Sequence, residues 1–231
     1  MKNGTSPSAF PNDLLKLWRE LPNKLKITPE QARASLGTLK RWGIQMDVKD
    51  EVVVKAFSIA EFAARDYACE RWAWAVPDEK AIKTLVEHSP VVEIGAGTGY
   101  WARLATEAGG DVVAYDSRMG QRTAKKKRHR WVKECGAYFP VRRGGAGMVR
   151  FHPRRTLFLC WPPYKLPMAS RCLANYAGRT VIFVGELGGC TGDDAFYEAV
   201  DRDWRIEKVV AIPQWIGLHD RMFVLTRKEM E

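Results

Sequence analysis

The sequence lacks any apolar run near the roughly 18 residues that would cross a bilayer. Its first residues, MKNGTSPSAFPND, contain no apolar stretch of signal-peptide length. Both observations lead us to expect a soluble, cytoplasmic protein. Cysteine is also scarce. Five are present, Cys69, Cys135, Cys160, Cys172 and Cys190, widely spaced and with no Cys-x-x-Cys pair. That pattern argues against a disulfide framework and against a structural zinc site. The four histidines, His88, His129, His152 and His219, are scattered, so no metal centre is expected. Internal repeats are absent.

The 231 residues fit one α/β domain with an appended element, or a small domain plus a larger one, and a hydrophobic fraction of 46% allows a sizeable core. The net charge is +10. Most of it is local: residues 118–155 hold 13 Lys and Arg against one acid, Glu134. The rest of the chain is close to neutral.

The first ~90 residues read as mainly helical. Asn12 or Asp13 is placed to cap a short helix through Leu14, Leu15, Leu17 and Trp18. Thr28-Pro29 with Gln31 opens a second helix, which Gly43 can end. A third is expected over about Glu51 to Trp72, and Asp78 should cap a fourth carrying Ala81, Ile82 and Leu85.

From Pro90 the pattern changes. Val91–Ile94, Asp111–Tyr115, Thr156–Cys160 and Thr180–Val184 are short apolar runs suited to buried parallel strands. Trp101 to Ala108 and Met168 to Tyr176 read as helices between them. Asp193 is a candidate cap for a further helix through Phe196 and Val200. Ile206–Ile212 and Met222–Thr226 should close the chain as two antiparallel strands. The expected architecture is a mostly parallel sheet flanked by helices. Residues 1–89 form a helical N-terminal extension and 90–231 the α/β domain.

Glycines 95, 97 and 99 fall between the first strand and the next helix, where the backbone must turn tightly and approach a ligand. A dinucleotide fingerprint needs a glycine at position 100. Tyr100 stands there, so that fingerprint fails.

Glu93-x-Gly95-x-Gly97-x-Gly99, with Asp116 closing the second strand, resembles the first motif and the ribose-binding acid of the class I (Rossmann-like) S-adenosylmethionine (SAM)-dependent methyltransferases. The resemblance covers about residues 75 to 226. It implies a Rossmann-like fold, SAM as cofactor, and transfer of a methyl group to a nucleophilic N or O. It also implies that Glu93, Gly95, Ala96, Gly97, Gly99, Asp116, Ser117 and Trp161 border the cofactor. A carboxylate suits two adjacent ribose hydroxyls because it offers two acceptors. Trp74 to Pro77 are further candidates for the cofactor wall.

Trp161-Pro162-Pro163-Tyr164 follows an apolar strand and should lie at the carboxyl edge of the sheet, where such folds bind ligands. It resembles the Asp/Asn/Ser-Pro-Pro-Tyr motif of methyltransferases acting on exocyclic base amines. Trp161 departs from that motif, since an indole donates and cannot accept. What remains is a stiff turn with freed carbonyls, in which Pro162, Pro163 and Tyr164 are candidate substrate contacts and Tyr164 a candidate stacking platform.

Lys125, Lys126, Lys127, Arg128 and Arg130, with Trp131, Arg142, Arg143, Arg154 and Arg155, form a candidate track for a phosphate backbone. A solvated surface loop would show the same charge run. Tyr164 and Glu186 are the candidate catalytic residues, with Glu186 placed to orient or deprotonate a nucleophile. His219 is a candidate base near neutral pH. Cys190 lacks a neighbouring base in the sequence.

Three functions fit these residues: a methyltransferase acting on nucleic acid, one acting on a small molecule or protein, and a non-catalytic nucleic-acid-binding module.

Overall fold

The computed structural model describes residues 12–24, 64–117, 138–215 and 217–229. The helix expected from Thr28, most of the one expected from Glu51, and Lys125 to Trp131 lie outside the described residues.

Helix α1 spans Asp13–Lys24. Of its two candidate caps, Asn12 fills the role: its Oδ1 accepts from Leu15 N at 3.0 Å. Residues 64–71 are helical. Helix α2, Glu79–Glu87, begins under Asp78, whose carboxylate accepts from Ala81 N at 2.8 Å. These caps satisfy amides that the first helical turn leaves without partners.

Strands β1 (Val91–Ile94), β2 (Val112–Asp116), β3 (Val141–Arg143), β4 (Thr156–Cys160), β5 (Thr180–Gly185), β6 (Trp204–Ala211) and β7 (Arg221–Arg227) form one sheet, in the order β3-β2-β1-β4-β5-β7-β6. The first five are parallel, and β7 runs antiparallel between β5 and β6. This is the mostly parallel sheet with an antiparallel end that the sequence predicts. Helices α3 (Tyr100–Glu107), α4 (Met168–Asn175) and α5 (Asp194–Asp203) make the connections. Strand β3 and the 3-10 helix Ala146–Phe151 are new. A three-residue strand with two arginines carries no apolar pattern to announce it.

The two faces of the sheet are covered separately. Phe158, Ile182 and Val184 point to one core, Leu157, Leu159, Val181 and Phe183 to the other, as the period of two in a strand requires. The first core also contains Leu14, Leu15, Ala68, Trp72, Ala75 and Val76. The described N-terminal residues therefore complete a sheet face, and this core crosses the boundary drawn at 89/90. Tyr100 ties them in: its hydroxyl accepts from Leu14 N at 3.2 Å and donates to Asn12 Oδ1 at 3.1 Å.

One cap is corrected. Asp193 stands at the N-cap position of α5 but makes no side-chain cap bond. Its carboxylate instead accepts from Ser170 N and Oγ, at 3.3 and 2.6 Å, joining α5 to α4.

Candidate functional site: the glycine loop and the carboxyl edge of the sheet

The loop after β1 has three glycines with positive φ: +80° at Gly95, +54° at Gly97 and +74° at Gly99. L side chains avoid this region. Gly95 N and Ala96 N both donate to Tyr115 O, at 2.8 and 3.1 Å, so the loop is fastened to β2.

The glycines divide the work. A Cβ on Gly99 would lie 2.8 Å from Phe139 Cβ and 2.9 Å from Val141 Cγ2. One on Gly95 would meet the end of the Met168 thioether at 2.5 Å. Around Gly97 no described atom comes within 4 Å of that position. Gly97 is thus the point at which a ligand can approach the main chain. Its N–H donates to Asp116 Oδ2 at 3.0 Å, across the gap between β1 and β2. The acid and the open glycine are neighbours, and Ser117 follows them, exposed, at the end of β2. A carboxylate beside a bare main-chain turn suits a nucleoside sugar. On the Gly95 side only a flexible methionine end must give way.

Glu93 lies beneath this loop, 2% exposed, and its Oε2 has no hydrogen-bond partner among the described residues. Burial pushes its carboxyl up to about 8. The charge of Asp116 adds to the rise, and the Ala102 backbone N–H opposes it.

The segment 72–77 walls the loop from the N-terminal side. Thr98 Oγ1 donates to Trp72 O, and Trp101 Nε1 to Ala75 O at 3.3 Å. Ala75, Val76 and Pro77 are buried, while Trp74 projects.

Trp161 opens the Pro-Pro-Tyr turn with φ +49°, an uncommon conformation for a bulky residue. Its N–H continues the sheet by donating to Val184 O at 2.8 Å. Its indole donates to Asp220 Oδ2 at 3.0 Å. The prolyl carbonyls are already taken: Pro162 O accepts from Gly192 N at 3.0 Å, Pro163 O from Leu166 N at 3.3 Å. The expectation that these carbonyls stand ready for substrate is corrected, because the first ties the turn to the loop at Gly192 and the second closes a local turn at Leu166. Pro162 is buried, whereas Pro163 and Tyr164 are exposed. Lys165 Nζ sits 5.1 Å from the Tyr164 ring centre.

Glu186, at the end of β5, is similarly engaged. Its carboxylate accepts from Cys190 Sγ at 2.8 Å, Cys190 N at 3.2 Å and His219 N at 2.6 Å. Burial works to raise its pKa, but the hydrogen bonds from Cys190 and His219 outweigh it and hold the carboxyl below its usual range. Such a carboxylate fixes two loops and is a weak proton acceptor. The same contact, with burial first, pushes the Cys190 thiol up to about 11, which leaves it a poor nucleophile.

Among the described basic residues, Arg142 and Arg143 are exposed on β3, and Arg143 registers with Asp116. Arg154 is exposed as well. Arg155 is not available to a phosphate track. It holds Asp111 with two bonds, 2.9 and 2.8 Å, and reaches Val91 O at 3.3 Å.

Sequence reasoning missed two residues here. Arg65 lies with its guanidinium 5.3 Å from the Trp74 ring centre and 5.1 Å from that of Trp161. Asp220, fully buried, leaves Oδ1 without a partner among the described residues, and burial raises its pKa. Neither belongs to a motif. Only the fold brings residues 65, 161 and 220 together.

No family model matches the sequence, and no curated protein does. Solved structures resemble it in the course of the chain. TrmN from Thermus thermophilus is 16% identical with a TM-score of 0.41, over 64% of this chain and 48% of that one. Magnesium protoporphyrin IX methyltransferase (ChlM) from Synechocystis PCC 6803, with bound SAM, is 11% identical with a TM-score of 0.43, over 96% and 100%. Mitomycin 7-O-methyltransferase MmcR is 12% identical with a TM-score of 0.40, over 78% and 59%. The chain thus spans about half the length of the first of these.

Proposed function

We propose that this chain is a SAM-dependent methyltransferase whose acceptor is a nucleic acid. One observation carries the cofactor assignment: the amide of Gly97, the loop glycine that opens onto space, is hydrogen-bonded to the Asp116 carboxylate at 3.0 Å. In this reading Asp116 takes the ribose hydroxyls, and Gly95, Ala96, Gly97 and Gly99 let the main chain close on the cofactor. Ser117 and Trp161 border it, and Glu93 supports the loop from below.

SAM supplies a sulfonium methyl group already activated for in-line transfer. The protein's task is to bind and align, which is worth several kcal/mol of barrier without a dedicated acid or base. A neutral amine can lose its proton after attack. Tyr164 then acts by stacking on the acceptor, with Pro162 and Pro163 stiffening its turn. Glu186 acts by positioning the loops around Cys190 and His219.

The nucleic-acid assignment rests on charge. Arg142 and Arg143 flank the strand that ends at Asp116. Lys125, Lys126, Lys127, Arg128 and Arg130 lie in the same stretch of sequence. A second reading, a small-molecule or protein acceptor, draws support from the wall that residues 72–77 build over the glycine loop.

Calorimetric titration with S-adenosylhomocysteine tests the cofactor assignment. Asp116→Ala should weaken binding by about 2 kcal/mol, or about 30-fold, while thermal unfolding stays cooperative. Equal affinity of the variant and the parent would refute it. Neutralising Lys125 to Arg130 should abolish a steep salt dependence of RNA or DNA binding; an acceptor other than nucleic acid predicts none to abolish.

A further inference from the structure

We infer that Trp74, backed by Trp161 and Arg65, is a stacking shelf for an unpaired base of a single-stranded nucleic acid. This deepens the nucleic-acid reading above and lies outside the motifs that led to it.

The two indoles are stacked, with centres 5.8 Å apart and planes 21° from parallel. Arg65 lies 5.3 and 5.1 Å from the same two centres. Three such similar distances make a nearly equilateral triangle. Arg65 and Trp161 therefore both lie within ring-contact distance of Trp74, and the Trp74 side chain still keeps much of its surface in solvent. Trp74 is 52% exposed. Among the described tryptophans, Trp74 is the one that is exposed.

The shelf is held rigid from behind. Trp161 is anchored through its indole to Asp220, itself fully buried, and through its N–H to Val184 O. Trp74 is flanked by Trp72 and Ala75, whose carbonyls are bound by Thr98 and Trp101. A platform fixed beforehand loses little conformational freedom when a ring lands on it.

Charge selects the occupant. Arg65 Nε is buried with no partner among the described residues, and its cation lies against both rings. A cationic ligand over Trp74 would be repelled. A neutral ring carrying phosphates would be drawn in, and a base has a π-face at every position in a sequence. A duplex hides those faces, so only unpaired bases can use the shelf. The net charge of +10 adds general attraction for the backbone.

Fluorescence anisotropy of a labelled oligouridylate of roughly 12 nucleotides, compared with a duplex of the same length, tests the inference. The single strand should bind more tightly than the duplex. Trp74→Ala should weaken single-strand binding about tenfold, and Trp74→Tyr should recover most of the loss. Thermal unfolding of the parent and both variants shows the fold intact, and S-adenosylhomocysteine titration of all three separates the shelf from the cofactor wall: the loss of single-strand affinity should exceed any loss of nucleoside affinity. If that nucleoside binds none of the three while the Trp74 dependence persists, the cofactor assignment fails and the shelf stands. The shelf is overturned if Trp74→Ala binds the single strand as the parent does. It is likewise overturned if the duplex loses as much, or if the variant loses nucleoside affinity alone, which would assign Trp74 to the cofactor wall.

Discussion

Replacing Glu93 by glutamine should make the protein more stable at neutral and alkaline pH, by an amount that grows with pH. The carboxyl lies under the glycine loop with one oxygen unpaired among the described residues, and burial, joined by the Asp116 charge, moves it from 4.5 to about 8. A carboxyl with a raised folded pKa binds its proton more tightly when folded than when unfolded. Ionisation in the unfolded chain therefore draws the protein open as pH rises. The loss begins near 4.5, proceeds at up to about 1.4 kcal/mol per pH unit, and levels off near 8. Between pH 5 and 8 the accumulated effect is on the order of 3 kcal/mol, as an upper bound, since a relaxed interior solvates the charge in part. Glutamine has nothing to titrate. The assay is urea unfolding of parent and Glu93→Gln at several pH values, taking the difference at each. That difference should widen in favour of the variant from pH 5 to 8 and then stay constant. A pH-independent difference, or one that widens toward acid, would refute the assignment of a buried, protonatable Glu93. Adding Asp116→Asn should move the window to lower pH, because it removes one of the two causes of the shift.

The loop glycines should separate packing from binding. Gly99→Ala places a Cβ against Phe139 and Val141 and should lower the melting temperature clearly, whereas Gly97→Ala meets open space and suffers only its φ, about 1 kcal/mol. Titration with S-adenosylhomocysteine should show the larger loss of affinity in Gly97→Ala. Asp220→Ala removes the acceptor of the Trp161 indole and should destabilise by about 1–3 kcal/mol in urea unfolding. Asp220→Asn keeps an acceptor oxygen and relieves a desolvated charge, so it should match or exceed the parent above neutral pH. Leu14→Ala should cost about 2–5 kcal/mol by the same measurement, although it lies in the N-terminal helix far along the sequence from the sheet, because Leu14 is fully buried in the sheet-face core.

The order of elements was legible in the residues themselves. Parallel strands buried on both faces read as unbroken apolar runs, and Val91–Ile94, Thr156–Cys160 and Thr180–Gly185 are such runs. The glycine loop was legible because three residues of left-handed conformation in five positions leave few alternatives to glycine. The local patterns also announced the cap at Asp78 and narrowed the first to Asn12 or Asp13, since a cap depends on residues three positions away. Strand β3 escaped because an edge strand of three residues is held by its neighbour rather than by its own pattern.

Tertiary structure alone decided which polar groups remain available. The sequence offers Asp193, Glu186, Arg155 and the prolyl carbonyls as open valences. The fold commits them to Ser170, to Cys190 and His219, to Asp111, and to Gly192 and Leu166. It likewise sets Arg65, Trp74, Trp161 and Asp220 beside one another across more than 150 positions of chain. Local chemistry governs where the backbone can turn. Which side chains then meet depends on how the strands are ordered in space, and that is settled by burying all the apolar faces at once.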